Sequence, residues 1–404
     1  MSSLNEPRFL DRRSPPNIAT MILTTGLGAL AMNVFLPSLP KMASYFETDY
    51  RLMQLSVALF LGVNAILQIF IGPISDNIGR RPLLLWGVAL FILATIGCIY
   101  APNAELFLFF RCCQAIIAVG MVLTRAAVRD MYEQDKAASM IGYVTMGMAV
   151  VPMVGPAIGG YLDEIFGWQA NFWLLVVIGS LTLALIWSDF GETARVSGKS
   201  LTAQFREYPE LLRSPRFWGY SLTAAFASGA FFAYLGGAPY VGSEVFNLSP
   251  SELGLYFGAP AIGYFAGNYV TGRYAVRFGV NKMALWGGIM LCAGLGTSVV
   301  LSAMGISHEL IFFGFMTFMG LGNGLTMPNA TAGLLSVRPH LAGTASGLGG
   351  TIMLAGGAAL SAYAGTLLEP GSGEMPLLLI MLATSALSLI SILVVIFREK
   401  QLGL

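Results

Sequence analysis

The chain has 404 residues, of which 56% are hydrophobic and 11% charged, and a formal net charge of +1. A soluble protein of this length does not carry so much apolar surface, and the near-neutral balance gives no electrostatic basis for binding nucleic acid. Cys98, Cys112, Cys113 and Cys292 fall inside apolar runs without metal-ligand spacing, so they read as lipid-facing or packed thiols and not as a zinc site or a disulfide framework. What remains is a polytopic helical membrane protein.

In chain order, Arg8, Arg12 and Arg13 precede an apolar run in which Ala29-Leu30-Ala31 imitates a leader cleavage site. The run continues to Pro37 and is read as a retained first helix. Further runs of spanning length follow near 52–71, 83–101, 105–126, 138–161, 169–188, 217–240, 251–271, 283–304, 309–329, 343–367 and 375–397. About twelve helices result, six on either side of a polar segment. That segment holds Arg195, Lys199, Arg206, Arg213 and Arg216 and reads as a cytoplasmic linker with an interfacial helix. The expected organisation is an N-terminal six-helix bundle at 1–188, the linker at 189–216 and a C-terminal six-helix bundle at 217–404. With loops assigned to alternate sides, about nineteen lysines and arginines share one face, which puts both termini and the linker in the cytoplasm.

Between the second and third runs lies Gly72-Pro73-Ile74-Ser75-Asp76-Asn77-Ile78-Gly79-Arg80-Arg81-Pro82. The two glycines allow a tight reversal and the two prolines stop helix across it, so a twice-broken hairpin is expected. Asp76 is placed to cap the following helix or to pair with a neighbouring cation, while Arg80 and Arg81 mark the cytoplasmic side. A shift of about 200 residues lays Gly272 and Gly279 on Gly72 and Gly79, with Val276 in place of Asp76. A nearby register aligns Glu105-Leu106 with Glu309-Leu310. The first string resembles the loop signature between helices 2 and 3 of the major facilitator superfamily. That resemblance implies an all-α integral membrane fold of twelve transmembrane helices in two pseudo-symmetric bundles, with a substrate site between them.

Arg111 lies about two turns into the fourth run, where an arginine is costly unless it faces a cavity or a partner. Gln114, one turn further, is positioned to hold its guanidinium by a hydrogen bond. Arg-x-x-Gln followed by small residues resembles the helix-4 motif of proton antiporters in the superfamily. In the fifth run, Pro152, Gly155, Pro156 and Gly159 resemble its antiporter motif, where paired prolines bend a helix and small residues permit close approach; this reads as a gate hinge and not a ligand. Four further strings, Leu36-Pro37-Ser38-Leu39-Pro40, Ala126-Ala127-Val128-Arg129-Asp130, Ala238-Pro239-Tyr240-Val241 and Ala342-Gly343-Thr344-Ala345-Ser346-Gly347, resemble the Bcr/CflA group of drug-resistance exporters. The resemblance implies multidrug efflux of bicyclomycin- or phenicol-like compounds across a bacterial inner membrane, as a monomer, with no cofactor and with the proton as coupling ion.

The sequence departs from that group at Asn33, where helix 1 usually carries an aspartate. No acid lies at the centre of a span, and Asn33 cannot titrate, so Arg111 has no charged partner at its depth. An engineered amide, an anionic substrate that supplies the charge, and another acid at a cavity mouth all remain open. An uncoupled or differently coupled carrier for an anionic metabolite is the alternative function. Asn64, Tyr143, Tyr234, Tyr256, Asn268 and Asn323 are the expected pocket residues, since a few amides among aromatic faces suit a tolerant binding site. Gly72, Asp76, Gly79, Arg80 and Arg81 are expected to form the cytoplasmic gate, with Arg338 a candidate partner of Asp76. His308 and His340, both at span ends, give no catalytic cluster, so an enzyme is not expected.

Overall fold

The computed structural model describes residues 8–132, 140, 144, 151–194, 208–338, 341–369 and 371–403, and every regular element among them is helical. The first span is α1 (Ile18–Asn33), which passes through a 3-10 turn at Leu36–Ser38 into the short α2 (Leu39–Tyr45). It is followed by α3 (Tyr50–Ile78), α4 (Arg80–Ile99), α5 (Ala104–Gln114), a 3-10 turn at Ala115–Ile117, α6 (Ala118–Met131), α7 (Val151–Phe166) and α8 (Gln169–Asp189). The second half comprises α9 (Pro215–Tyr240), α10 (Pro250–Tyr256), α11 (Gly258–Phe278), α12 (Val280–Ala303), α13 (Glu309–Ser336), α14 (Ala342–Thr366) and α15 (Met375–Leu402).

Ten helical stretches among the described residues are long and apolar enough to cross a bilayer. The other two spans have plain explanations. The fifth is described continuously only from Val151, and α11 carries Asn268, Arg273 and Arg277 among its glycines. Side chains start several helices: Asn17 accepts from Ala19 N, Asn103 from Leu106 N, and Ser249 forms a reciprocal capping box with Glu252.

One expectation needs correction. The Gly72–Pro82 string is not broken twice, because α3 runs unbroken through Gly72 and Pro73 to Ile78. The reversal occurs only at Gly79, whose φ of +104° is one that side-chain-bearing residues avoid. Gly279, at φ +82°, makes the same stop between α11 and α12, so the repeat preserves the position where backbone freedom is needed. Gly72 and Gly272 lie inside helices, and a methyl at either would meet nothing within 4 Å.

The bundles meet unevenly. On the side away from the linker, here the far side, α3 packs on α14 and α7 on α10. Tyr50 Oη donates to Gly236 O at 2.7 Å, Gln54 Nε2 donates to Ser361 O, and Arg51 pairs with Glu369 at 2.6 Å. One continuous hydrophobic core joins both bundles there. Toward the linker the core splits, with a separate cluster of Leu211, Phe217, Tyr220 and Leu334 in the second bundle. On the linker side Thr351 Oγ1 of the second bundle lies 3.4 Å from Ala65 O of the first. The molecule is therefore shut on the far side.

Candidate functional site

The interior of the first bundle is built around Arg111, which is fully buried. The helix of the fourth span tightens into a 3-10 turn immediately after Gln114, at Ala115–Ile117. The guanidinium carbon lies 4.4 Å from the ring centre of Phe35 and 4.2 Å from that of Phe60, so aromatic rings cover the cation. Its Nη1 donates to Gln114 Oε1 at 2.7 Å and its Nη2 to Ala31 O at 2.9 Å. Gln114 Nε2 in turn donates to Thr95 Oγ1 at 2.8 Å, and the Thr95 hydroxyl donates to Phe91 O. Asn33, equally buried, donates to Ala29 O at 2.7 Å. Arg111 Nε and Asn33 Oδ1 are left without hydrogen-bond partners, and no carboxylate among the described residues forms an ion pair with the guanidinium. A cation held only by ring faces, an amide and a carbonyl is a fixed positive charge in a dry interior, sensitive to any nearby change of charge.

On the linker side, Asp76 does not cap the next helix. It pairs with Arg80, one turn on, at 2.6 Å, and Arg80 Nε reaches Asp130 at 3.1 Å. Arg80 also donates to Ser75 Oγ. The cap of α4 is Glu192, whose carboxylate accepts from Arg80 N at 2.9 Å and Arg81 N at 3.2 Å, where the helix N-terminus favours an anion. Arg81 donates to Trp187 O and lies over the Trp187 ring. Arg338 pairs with Glu210 at 2.9 Å, while Asp76 is taken by Arg80.

The fifth-span motif lies where helices touch through backbone. A methyl on Gly159 would fall 1.7 Å from Val34 O, and one on Gly160 would fall 2.0 Å from Pro250 O in the other bundle. Pro156 O sits against Gly254, and Gly155 faces Leu30. Pro156 lies inside α7 and Pro152 in its first turn.

The expected pocket residues are scattered. Gln68 donates to Asn64 at 2.9 Å, Asn268 donates to Tyr264 O, and Asn323 is buried with an unpartnered Oδ1. Tyr234 is fully buried against Phe257, and Tyr256 stacks on Phe313 at 4.9 Å, so both rings serve packing in this state. Tyr143 lies outside the described residues. The sequence reading missed Thr95, Gln54, Tyr50 and Glu192. Gln54, a polar residue in the second apolar run one turn after Tyr50, was the available signal.

With this geometry in place, residues 21–362 match the sequence pattern of the Major Facilitator Superfamily. The chain belongs to that superfamily. It is a multi-pass membrane carrier of small molecules and not an enzyme. The carrier is 31% identical over 337 residues to the chloramphenicol resistance protein of Pseudomonas aeruginosa, covering 81% of this chain and 79% of that one. It is 27% identical over 363 residues to multidrug resistance protein D of Escherichia coli (strain K12), covering 89% and 91%. The structure of a D-xylose-proton symporter superposes with a TM-score of 0.76 over 94% of the carrier and 96% of the symporter, at 13% identity, which speaks to the fold alone.

Proposed function

We propose that the chain is an alternating-access exporter of small amphiphilic drugs, bicyclomycin- or phenicol-like, working in exchange for protons across a bacterial inner membrane. The observation that carries this reading is similarity over most of the chain to proteins named for chloramphenicol and multidrug resistance. On this reading the bundles are 1–188 and 217–404, the linker 189–216 and both termini are cytoplasmic, and the described state is open to the cytoplasm. Arg111, Gln114 and Asn33 are the coupling element. The covering of the guanidinium by Phe35 and Phe60 favours a role in setting the charge balance of the first bundle over direct contact with substrate. Asn64, Tyr143, Tyr234, Tyr256, Asn268 and Asn323 are pocket candidates. Asp76, Arg80 and Arg81, between Gly72 and Gly79, form the gate that closes when the linker side shuts, and Pro152, Gly155, Pro156 and Gly159 form the far-side hinge.

One observation favours a second reading, an uncoupled or differently coupled carrier of an anionic metabolite: the amide at Asn33 leaves the buried cation without a titratable partner. Two measurements separate the readings. Cells expressing the chain are expected to tolerate more chloramphenicol, and sensitisation would count against export. In everted vesicles with an imposed pH gradient, Asn33→Asp is expected to raise drug transport, and an unchanged rate would remove the proposed place of Asn33 in coupling.

A further inference from the structure

Among the described residues the buried acids are Asp163, Asp189, Glu374 and Glu399. Three of them are held by hydrogen bonds: Asp189 by Leu10 N, Asn17 N and Thr20, Glu374 by Ser302, and Glu399 by Arg216, Tyr220 and Asn281. Asp163, near the far end of α7, differs. It is 2% exposed, and neither of its carboxylate oxygens has a hydrogen-bond partner among the described residues. The half-exposed Lys41 of α2 pairs with it only at 3.7 Å. Ser38, which also faces it, already accepts from Asn171 Nδ2 at 2.9 Å, and Asn171 Oδ1 is a second buried acceptor without a donor.

Little other charge reaches this carboxylate. Glu164, its neighbour in sequence, is exposed. Of the elements packed on α7, α1 and the Leu36–Ser38 turn carry no titratable group, and α8 has only Asp189, at its linker end. From α10 come Glu252, held by Ser249, and Tyr256, stacked on Phe313. From α11 come tyrosines and, toward its linker end, Arg273 and Arg277.

An ionised carboxylate enclosed without donors is costly, whereas the neutral acid gains a hydroxyl that can donate to Ser38. Asp163 also lies at the seam that shuts the far side. It follows Gly160 by three residues, which places the two on neighbouring positions of one helix side. A methyl on Gly160 would fall 2.0 Å from Pro250 O of the second bundle, and the Leu36–Ser38 turn packs on α10 as well. Parting α7 from α10 lets water reach this end of the helix and solvate the ion. We infer that Asp163 binds a proton from the far side as the bundles close there, so that acid on that side favours closure. The sign follows from linkage: the closed state holds the proton more tightly, so lowering the pH populates it and raising the pH releases it. The inference deepens the proton-exchange reading by naming a titratable group where Asn33 offers none, and it rests on that reading only for the movement of the bundles.

The test is the distance between spin labels at Leu106 and Leu310, exposed at the far ends of the two bundles, in the full-length protein in lipid nanodiscs. The short-distance population is expected to grow as the pH falls from about 9 to about 5. Asp163→Asn, which keeps the side chain neutral, is expected to hold the short distance throughout that range. Lys41→Gln, a change at a half-exposed side chain, should move the midpoint up by roughly one pH unit, because the neighbouring cation no longer favours the ion. Glu47→Gln, at an exposed acid of the same face, should leave the profile unchanged. A pH-independent distance in the wild type, a wild-type profile in Asp163→Asn, or an unmoved midpoint in Lys41→Gln would overturn the inference. Loss of the profile in Glu47→Gln would do the same by assigning the proton to another acid. Drug export measured in parallel separates the two ideas. The expected profile without drug export sinks the export reading and leaves this one standing, and pH-independent closure with export intact does the reverse.

Discussion

The two bundles share a topology but fill their interiors differently. In the first, the fourth span carries Arg111, wrapped by Phe35, Phe60, Gln114 and a carbonyl. In the register that aligns Glu105 with Glu309, the corresponding stretch of α13 carries the half-buried Phe315, stacked at 5.8 Å on Phe318, which is 43% exposed, so no side chain of the Arg111 kind enters that interior. Further along α13, glycines replace side chains altogether: methyls on Gly320 and Gly324 would strike Pro260 O and Tyr264 O of α11 at 1.7 and 2.5 Å. Backbone contact of this kind occurs in both halves, since a methyl on Gly159 would fall 1.7 Å from Val34 O in the first, so the fully buried cation is what sets the two interiors apart.

The linker ends follow a common plan with the roles exchanged, the cation now lying in the second bundle. Asp189, at the end of α8, gathers Leu10 N, Asn17 N and Thr20 Oγ1 at 2.6 to 2.9 Å, tying the start of the first span to the end of the sixth. Glu399, near the end of α15, holds Arg216 and Tyr220 of the seventh span and Asn281 at the start of α12. One clamp uses neutral donors and the other a cation.

The largest expected effect that tests this contrast is at Arg111. Arg111→Ala leaves Gln114 Oε1 and Ala31 O unpaired and opens a void between two rings, for a loss of about 3 kcal/mol in stability and of transport. Phe315→Ala, its counterpart, should cost about 1 kcal/mol. Equal losses in thermal unfolding would erase the asymmetry. Next is Gly320→Ala, where a methyl meets backbone that has no room to move, expected to cost about 2 kcal/mol. Gly272→Ala, with open space around it, should be neutral or stabilising by about 0.5 kcal/mol in the same assay. A middling effect is expected for Gln54→Ala, which removes a buried bond across the far-side seam worth about 1 kcal/mol. Cross-linking between α3 and α14 on the far face should fall while unfolding temperature changes little; unchanged cross-linking would deny Gln54 a part in closure. Smallest is Glu399→Gln, expected to cost about 1 kcal/mol by weakening the pair with the partly exposed Arg216, and Asp189→Asn should cost less. Reversal of that order in matched unfolding curves would show that the neutral clamp is the stronger.

Much of the architecture was readable because it depends on local rules. Apolar run length marks the spans, and Gly79 and Gly279 mark the turns by their freedom to take positive φ. The hairpin string misled at Gly72-Pro73 because proline in an apolar span does not by itself end a helix when neighbouring residues accommodate it. Of the two roles open to Asp76, pairing with a cation is the one it takes, through Arg80, while Glu192 caps α4, which nothing local in the sequence signals.

Chain order and composition were enough to indicate a membrane-embedded helical protein with one costly arginine in its fourth span, and the resemblance of its motifs to the superfamily made it a carrier. They did not reveal that Arg111 is walled in by Phe35 and Phe60, or that Tyr50 and Gln54 bind carbonyls more than 180 residues away. Nor did they reveal which side of the molecule is shut. Those facts depend on how two preformed bundles rest against each other, where contacts between distant residues compete at similar energies, and no local pattern encodes the outcome of that competition.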